Sequence, residues 1–270
     1  MAYHPDFNNR RRELMSLEGR LALVTGGSRG IGRAVAMALA EDGADVAVNY
    51  RRDAEAAAET VAAIEALGRR SAAFQATVGD REECAAMVAS IAERLGEPDI
   101  LVNNAGIASR GQTVEDTDPD ELARVINVHA LGPHFLSKLL IPGMKTKKRG
   151  DIVMISSVAT LGLSARGAPY NMGKVAMEAL ATTLSKELKR YGIHVNIVAP
   201  GLVETEMGRR LMKATAGIDD LRELDATSPF GRVCQPEDIA NAVRFFVSEQ
   251  ASYITGERLY VYGGGSAGLD

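Results

Sequence analysis

A chain of 270 residues, 46% apolar and 24% charged with the two signs mixed, can bury one substantial core and reads as globular. Its net charge of −4 argues against nucleic acid or an anionic membrane surface as a partner. Cys84 and Cys234 are the only cysteines and fall in no C-x-x-C spacing, which excludes a disulfide framework and a cysteine zinc site and points to a reducing cytoplasm.

Met1 to Glu18 form a polar arm with Arg10, Arg11 and Arg12 in a row, without the apolar stretch of a secretory signal. Those arginines suit either plain solvation or a subunit contact. From residue 19 to 270 a single domain is expected. Short apolar runs predict strands at Leu21–Thr25, Asp45–Tyr50, Ala72–Ala76, Ile100–Asn103, Asp151–Ser156, His194–Ala199 and Arg258–Tyr262. Amphipathic stretches between them predict helices at Ile31–Glu41, Ala54–Leu67, Arg81–Leu95, Leu122–Leu140, Val175–Tyr191 and Glu237–Val247. Asp53 and Pro236 are start signals, and Gly43, Gly68, Gly96 and Gly192 stops. Such alternation implies βαβ units: an α/β fold with one doubly wound parallel sheet of about seven strands and helices on both faces. Glu204 to Pro229 fits the alternation poorly. Ligands of open α/β sheets bind beyond the carboxyl ends of the strands, so this long excursion after the sixth strand is a candidate lid.

The first predicted strand runs into T-G-G-S-R-G-I-G, and a helix follows. Gly26, Gly30 and Gly32, with Ser28, Arg29 and Ile31 between them, permit a tight turn whose backbone N–H groups approach a pyrophosphate at a helix N-terminus. After the second strand, where a carboxylate would select NAD, the chain reads Tyr50-Arg51-Arg52. Arginines there and at Arg29 favour a 2′-phosphate, hence NADP over NAD.

Tyr170 and Lys174 stand four apart in P-Y-N-M-G-K, on one face if helical, and Ser157 closes the fifth strand. An ammonium beside a phenol lowers its pKa toward neutrality, and a hydroxyl can hold a substrate oxygen next to it. The chemistry expected is hydride transfer to a carbonyl, with Tyr170 protonating the growing alkoxide, Ser157 steadying the oxygen and Lys174 tuning the phenol while holding the nicotinamide ribose. His4, His129, His134 and His194 lack ligand spacing, so structural or surface roles and no metal are expected.

These motifs resemble those of the classical short-chain dehydrogenases/reductases, from about Leu17 to Gly265. The resemblance implies a seven-stranded Rossmann sheet, a homotetramer and no metal. It implies that Asn127, in V-I-N-V-H, is a fourth catalytic residue positioning a water for proton relay to Lys174. N-N-A-G, with Asn104, Ala105 and Gly106, is similar to the motif steadying the central sheet beside the cofactor. Pro200, Gly201, Val203 and Thr205 lie in a segment resembling the one that meets the nicotinamide carboxamide. Thr77 stands where the family usually has Asp or Asn at the adenine, and Val78 fits.

Within the family the chain is similar to reductases of 3-oxoacyl thioesters, in G-R-V-C-Q-P-E-D-I-A-N-A-V and P-G-L-V-E-T-E-M. Many sugar, steroid and cyclic-alcohol dehydrogenases share those segments, so a small or cyclic ketone or alcohol is the alternative substrate. Lys145, Lys147, Lys148, Arg149, Lys189 and Arg190 could receive an acidic acyl carrier protein, or simply be solvated helix ends. A dinucleotide sensor without turnover is a third reading, disfavoured because all four catalytic positions are filled.

Overall fold

The computed structural model describes residues 15–264, so His4, the arginine trio of the arm and the tail from residue 265 lie outside the described residues. Seven parallel strands form one sheet in the order β3-β2-β1-β4-β5-β6-β7. They are β1 (Leu21–Val24), β2 (Asp45–Tyr50), β3 (Ser71–Gln75), β4 (Ile100–Asn103), β5 (Gly150–Ile155), β6 (Ile193–Pro200) and β7 (Arg258–Val261). Every residue of β1, β4 and β5 is buried, as central strands covered on both faces must be.

The period of two along each strand divides the core between those faces. Ala22, Val24, Val46, Val48, Val102 and Val153 point to one side, where they pack with Val35, Leu39, Ile239, Val243 and Phe246. These come from α1 (Gly30–Glu41) and from a later helix, Pro236–Val247. Leu21, Leu23, Leu101, Ile152 and Met154 point to the other side and meet Met87, Ile91, Leu136, Leu140, Met177 and Leu184.

Helix starts follow local chemistry. Asp53 accepts from the Ala56 amide and opens α2 (Ala54–Ala66), and Asp80 accepts from the Glu83 amide and opens α3 (Arg81–Arg94). The helix expected at Leu122–Leu140 is interrupted. It begins as α4 (Pro119–Ile126) under an Asp118 cap, widens into a π-turn at Asn127–Leu131, and continues as α5 (Gly132–Met144). A single extra residue per turn leaves no mark on hydrophobic spacing, whereas π-turns recur at functional sites. After a short helical turn, α6 (Ala159–Gly162), the helix α7 (Ala168–Leu188) starts seven residues before the expected Val175, with Pro169 in its first turn. The excursion 204–229 contains α8 (Glu206–Ala216), capped by Thr205, and a 3₁₀ stretch at Leu221–Thr227. The remaining helix, α9 (Pro236–Val247), starts with a Gln235–Asp238 capping box. No helix among the described residues is long and apolar enough to cross a membrane.

Candidate active site

In a sheet of this order the connections leave β1 and β4 in opposite directions, opening a crevice at their carboxyl ends. The glycine turn follows β1, Tyr50-Arg51-Arg52 closes β2, Thr77 and Val78 follow β3, and Asn104-Ala105-Gly106 follows β4. Ser157 follows β5, two residues past the strand's end, and Pro200-Gly201 closes β6. One edge of the sheet thus gathers residues scattered over most of the chain.

The glycine turn is built for an anion. A Cβ on Gly32 would fall 2.1 Å from the Gly26 carbonyl oxygen, so the turn closes only with glycine there. Arg29 occupies the N-cap of α1 without any side-chain cap, which leaves the first amides of the helix for a ligand. Asn49, buried at the end of β2, holds the turn open. Its Oδ1 accepts from the Gly26 amide at 3.1 Å, while its Nδ2 donates to the carbonyls of Phe74 and Ala76. The Thr25 hydroxyl accepts from the amides of Asn104 and Ala105, each at 2.9 Å, tying β1 to β4 across the crevice. Asn49 has no recognisable motif, and its role depends on a neighbour in β3 that sequence alone does not place beside it. This cradle fits a pyrophosphate-bearing dinucleotide.

Of the three arginines expected near a 2′-phosphate, Arg51 and Arg52 are exposed and form no ion pair among the described residues. Arg29 is engaged: its guanidinium lies 2.7 Å from Glu206, at the start of α8. Gly30 also faces Thr205, since a Cβ there would meet the threonine methyl at 3.3 Å. The excursion after β6 therefore already rests on the glycine turn. The Thr77 amide donates to Glu83 at 2.6 Å, and Val78 is buried with its carbonyl accepting from the Cys84 thiol. Val203 is buried in a parallel bridge to Cys234.

Tyr170, Lys174 and Ser157 come together. Tyr170 lies near enough to Ser157 for that hydroxyl to act on its phenol, and Lys174 Nζ lies 5.7 Å from the Tyr170 ring centre while donating to the Ile155 carbonyl at 2.7 Å. Burial pushes the Tyr170 phenol above its ordinary value, only partly opposed by Ser157, and lowers Lys174 to about 7 against the pull of Glu178. The expectation that Lys174 lowers the phenol is thus not met: desolvation dominates for both groups. A phenol in this state keeps its proton at neutral pH, the form needed to protonate an alkoxide.

Asn127 opens the π-turn, and two residues on His129 packs edge-on against Tyr170 with ring centres 5.2 Å apart. His129 Nε2 sits 2.8 Å from the Ile107 carbonyl, and burial lowers its pKa to about 3, so it is a neutral wedge and not a base. Gly173 leaves room for it, since a Cβ there would meet His129 Cβ at 2.9 Å. No spacing in the sequence could have linked His129 to Tyr170.

The basic residues around 145–149 and 189–190 precede β5 and β6, at the amino edge of the sheet. Ser157 stands beyond the opposite end of β5. A six-residue strand at ~3.3 Å per residue puts roughly 20 Å between them, so a carrier protein docked on this cluster would face away from the phenol. Lys145 and Arg190 instead both lie over the Tyr191 ring, 4.2 and 4.7 Å from its centre.

A family model described as enoyl-(acyl carrier protein) reductase matches residues 26–266. The 3-oxoacyl-(acyl-carrier-protein) reductase of Staphylococcus aureus is 39% identical over 244 residues, 90% of this chain and 96% of that one. A 7α-hydroxysteroid dehydrogenase solved with NADH and 7-oxo glycochenodeoxycholic acid superposes with a TM-score of 0.86 at 31% identity, covering 96% of this chain and 98% of its own. An angucycline C-6 ketoreductase with bound NADP gives 0.82 at 38% identity, covering 92% and 96%. With the glycine cradle at the β1–β4 crevice and the serine–tyrosine–lysine cluster beside it, the chain belongs to the classical short-chain dehydrogenase/reductase family, oxidoreductases that act on CH–OH and C=O groups.

Proposed function

We propose that this chain is an NADPH-dependent carbonyl reductase that converts a 3-oxoacyl thioester to the 3-hydroxyacyl form. The observation that supports it most is the buried Tyr170 phenol, raised above its ordinary value by desolvation and set near Ser157, on the same sheet edge as the glycine cradle. Gly26, Ser28, Gly30, Ile31 and Gly32 would hold the pyrophosphate, Thr77 and Val78 the adenine, and Asn104, Ala105 and Gly106 the inner ribose. Pro200, Gly201, Val203 and Thr205 would meet the carboxamide. Arg51 and Arg52, exposed after β2, would face the 2′-phosphate with Arg29. The bound dinucleotide supplies the hydride.

The chain's own residues do the rest. Ser157 donates to the carbonyl oxygen and places it against the phenol, and Tyr170 gives that oxygen its proton as negative charge develops. Lys174, held by Ile155, then favours the resulting phenolate, and its pKa of about 7 lets it pass a proton on at neutral pH. Asn127, in the widened turn, would hold a water for reprotonation. Thioester chemistry is supported by the Staphylococcus relative, spanned over 96% of its length. Because the basic cluster faces the wrong edge, a thioester of coenzyme A or of a carrier docked elsewhere fits better.

A bulky cyclic ketone is the second reading, favoured by the apolar, exposed Leu161 and Leu163 in the segment joining Ser157 to Tyr170, and by Met207 and Leu211 on α8. Exposed Leu131, Met172 and Val175 offer apolar surface to further copies, in keeping with a homotetramer. The test is oxidation of NADPH, with NADH in parallel, by acetoacetyl-coenzyme A against a panel of simple and cyclic ketones. Thioester turnover with NADPH supports the first reading and turnover of ketones alone the second. Tyr170→Phe should cut turnover by about 10²–10⁴-fold while still binding NADPH. Undiminished turnover in that variant would remove the phenol from the mechanism.

A further inference from the structure

Beneath the candidate active site lies a buried carboxylate that the mechanism above does not use. Tyr170, Lys174 and Glu178 follow one another at intervals of four on α7 and so share a face. Glu178 is 5% exposed. One of its oxygens accepts from the Ser156 hydroxyl at 2.6 Å and lies 3.0 Å from the Thr160 hydroxyl. The other is 3.0 Å from the guanidinium of Arg258, at the start of β7. Thr160 also donates to the Ser157 carbonyl at 2.9 Å. The residues immediately around Ser157 are therefore tied to a single anion, and that anion is tied to the last strand.

A buried carboxylate is costly unless it is fully partnered. Apart from its pull on the Lys174 ammonium, each side-chain bond of Glu178 goes either to the Ser157 turn or to the cation that anchors it. We propose that Glu178 is a positioning residue: braced by Arg258, it fixes Ser156 and Thr160 on either side of Ser157 and so sets where the Ser157 hydroxyl stands against Tyr170. This rests on the reading of Ser157 as the group that holds the substrate oxygen. Lys174 secures the same turn one residue earlier, through the Ile155 carbonyl. The turn between β5 and α6 is thus stitched to α7 at consecutive residues, and loosening one stitch lets the hydroxyl drift.

The test is a double-mutant cycle on kcat between Glu178→Gln and Ser157→Ala, with NADPH affinity measured by fluorescence titration for every variant. Ser157→Ala should lower kcat by about 10²-fold or more, as removal of an oxyanion donor does. Glu178→Gln alone should lower kcat by about tenfold, with KM and NADPH affinity within about twofold of the parent, because a displaced group costs rate before binding. In the Ser157→Ala background it should cost less than about twofold, since there is no hydroxyl left to position. If the two losses instead multiply, or Glu178→Gln turns over like the parent, the proposal is overturned. If Ser157→Ala itself retains full turnover, it is the assignment of Ser157 that fails, and the positioning role falls with it. Should Glu178→Gln fold poorly with Arg258 left unpaired, Glu178→Gln/Arg258→Gln removes both charges and is carried through the same cycle.

Discussion

Lys174 is fully enclosed, and its ammonium is the least comfortable charge in the site. Replacing it by methionine should stabilise the nucleotide-free protein. Its descent from 10.5 to about 7 corresponds to ~5 kcal/mol of unfavourable burial of the charged form. Against this stands the lost bond to the Ile155 carbonyl, a buried acceptor whose isolation costs ~1–3 kcal/mol. The net gain expected at pH 6 is about 2–4 kcal/mol. In urea titrations that gap should be constant below pH 6, where Lys174 is protonated in both the folded and the unfolded chain. Between about 7 and 10.5 the unfolded chain holds a proton that the folded one has released, so the stability of the parent rises with pH. The gap should then close by ~2 kcal/mol from pH 7 to 9. Subtracting the variant at each pH removes the other titrating groups, such as Cys84 and Cys234, whose thiols burial raises to about 12. A variant less stable than the parent at pH 6, or a gap that stays flat from 7 to 9, would refute the reasoning.

Asn49→Ala removes a buried amide that bonds the Gly26 amide and the carbonyls of Phe74 and Ala76, in and just after β3. It should cost roughly 2–4 kcal/mol in chemical unfolding and weaken dinucleotide binding further still; unaltered binding would separate Asn49 from the cradle. Glu206→Gln releases Arg29 from its ion pair. Since exposed pairs are worth ~0–1 kcal/mol, NADPH should bind up to about fivefold tighter and NADH no better. Equal changes for both nucleotides would place Arg29 away from the 2′-phosphate.

Much of this architecture is written locally. β1, β4 and β5 read as buried strands because every residue in them is apolar or sheltered, and the Asp53 and Asp80 caps are visible as single residues before helical patterns. Tyr170 and Lys174 could be paired because a helix brings positions four apart together. What escaped is what depends on contacts between distant elements. His129 meets Tyr170 only because the π-turn lies against α7, and Glu178 meets Arg258 only because β7 pairs with β6. The basic residues at 145–149 adjoin β5 in sequence just as Ser157 does, and only the direction of the strand separates them. Charge in a sequence has position but no facing. The raised phenol has a similar cause, since burial is a property of the assembled site and here outweighs the charge that the motif supplies.

The seam between β1 and β4 bears on how the protein is made. Ala22 finds Val46 on one side early in synthesis, but its other neighbour, Ile100, leaves the ribosome only after β2, β3 and three helices. Until then β1 presents a bare hydrogen-bonding edge, a template for misdirected pairing. Thr25 meanwhile lacks the amides of Asn104 and Ala105 that complete the far wall of the crevice. Dinucleotide affinity should therefore arrive late and abruptly as the chain lengthens. Since a ligand stabilises only the state that binds it, nucleotide present during folding would act as a trap for chains that have closed the seam and leave arrested ones untouched.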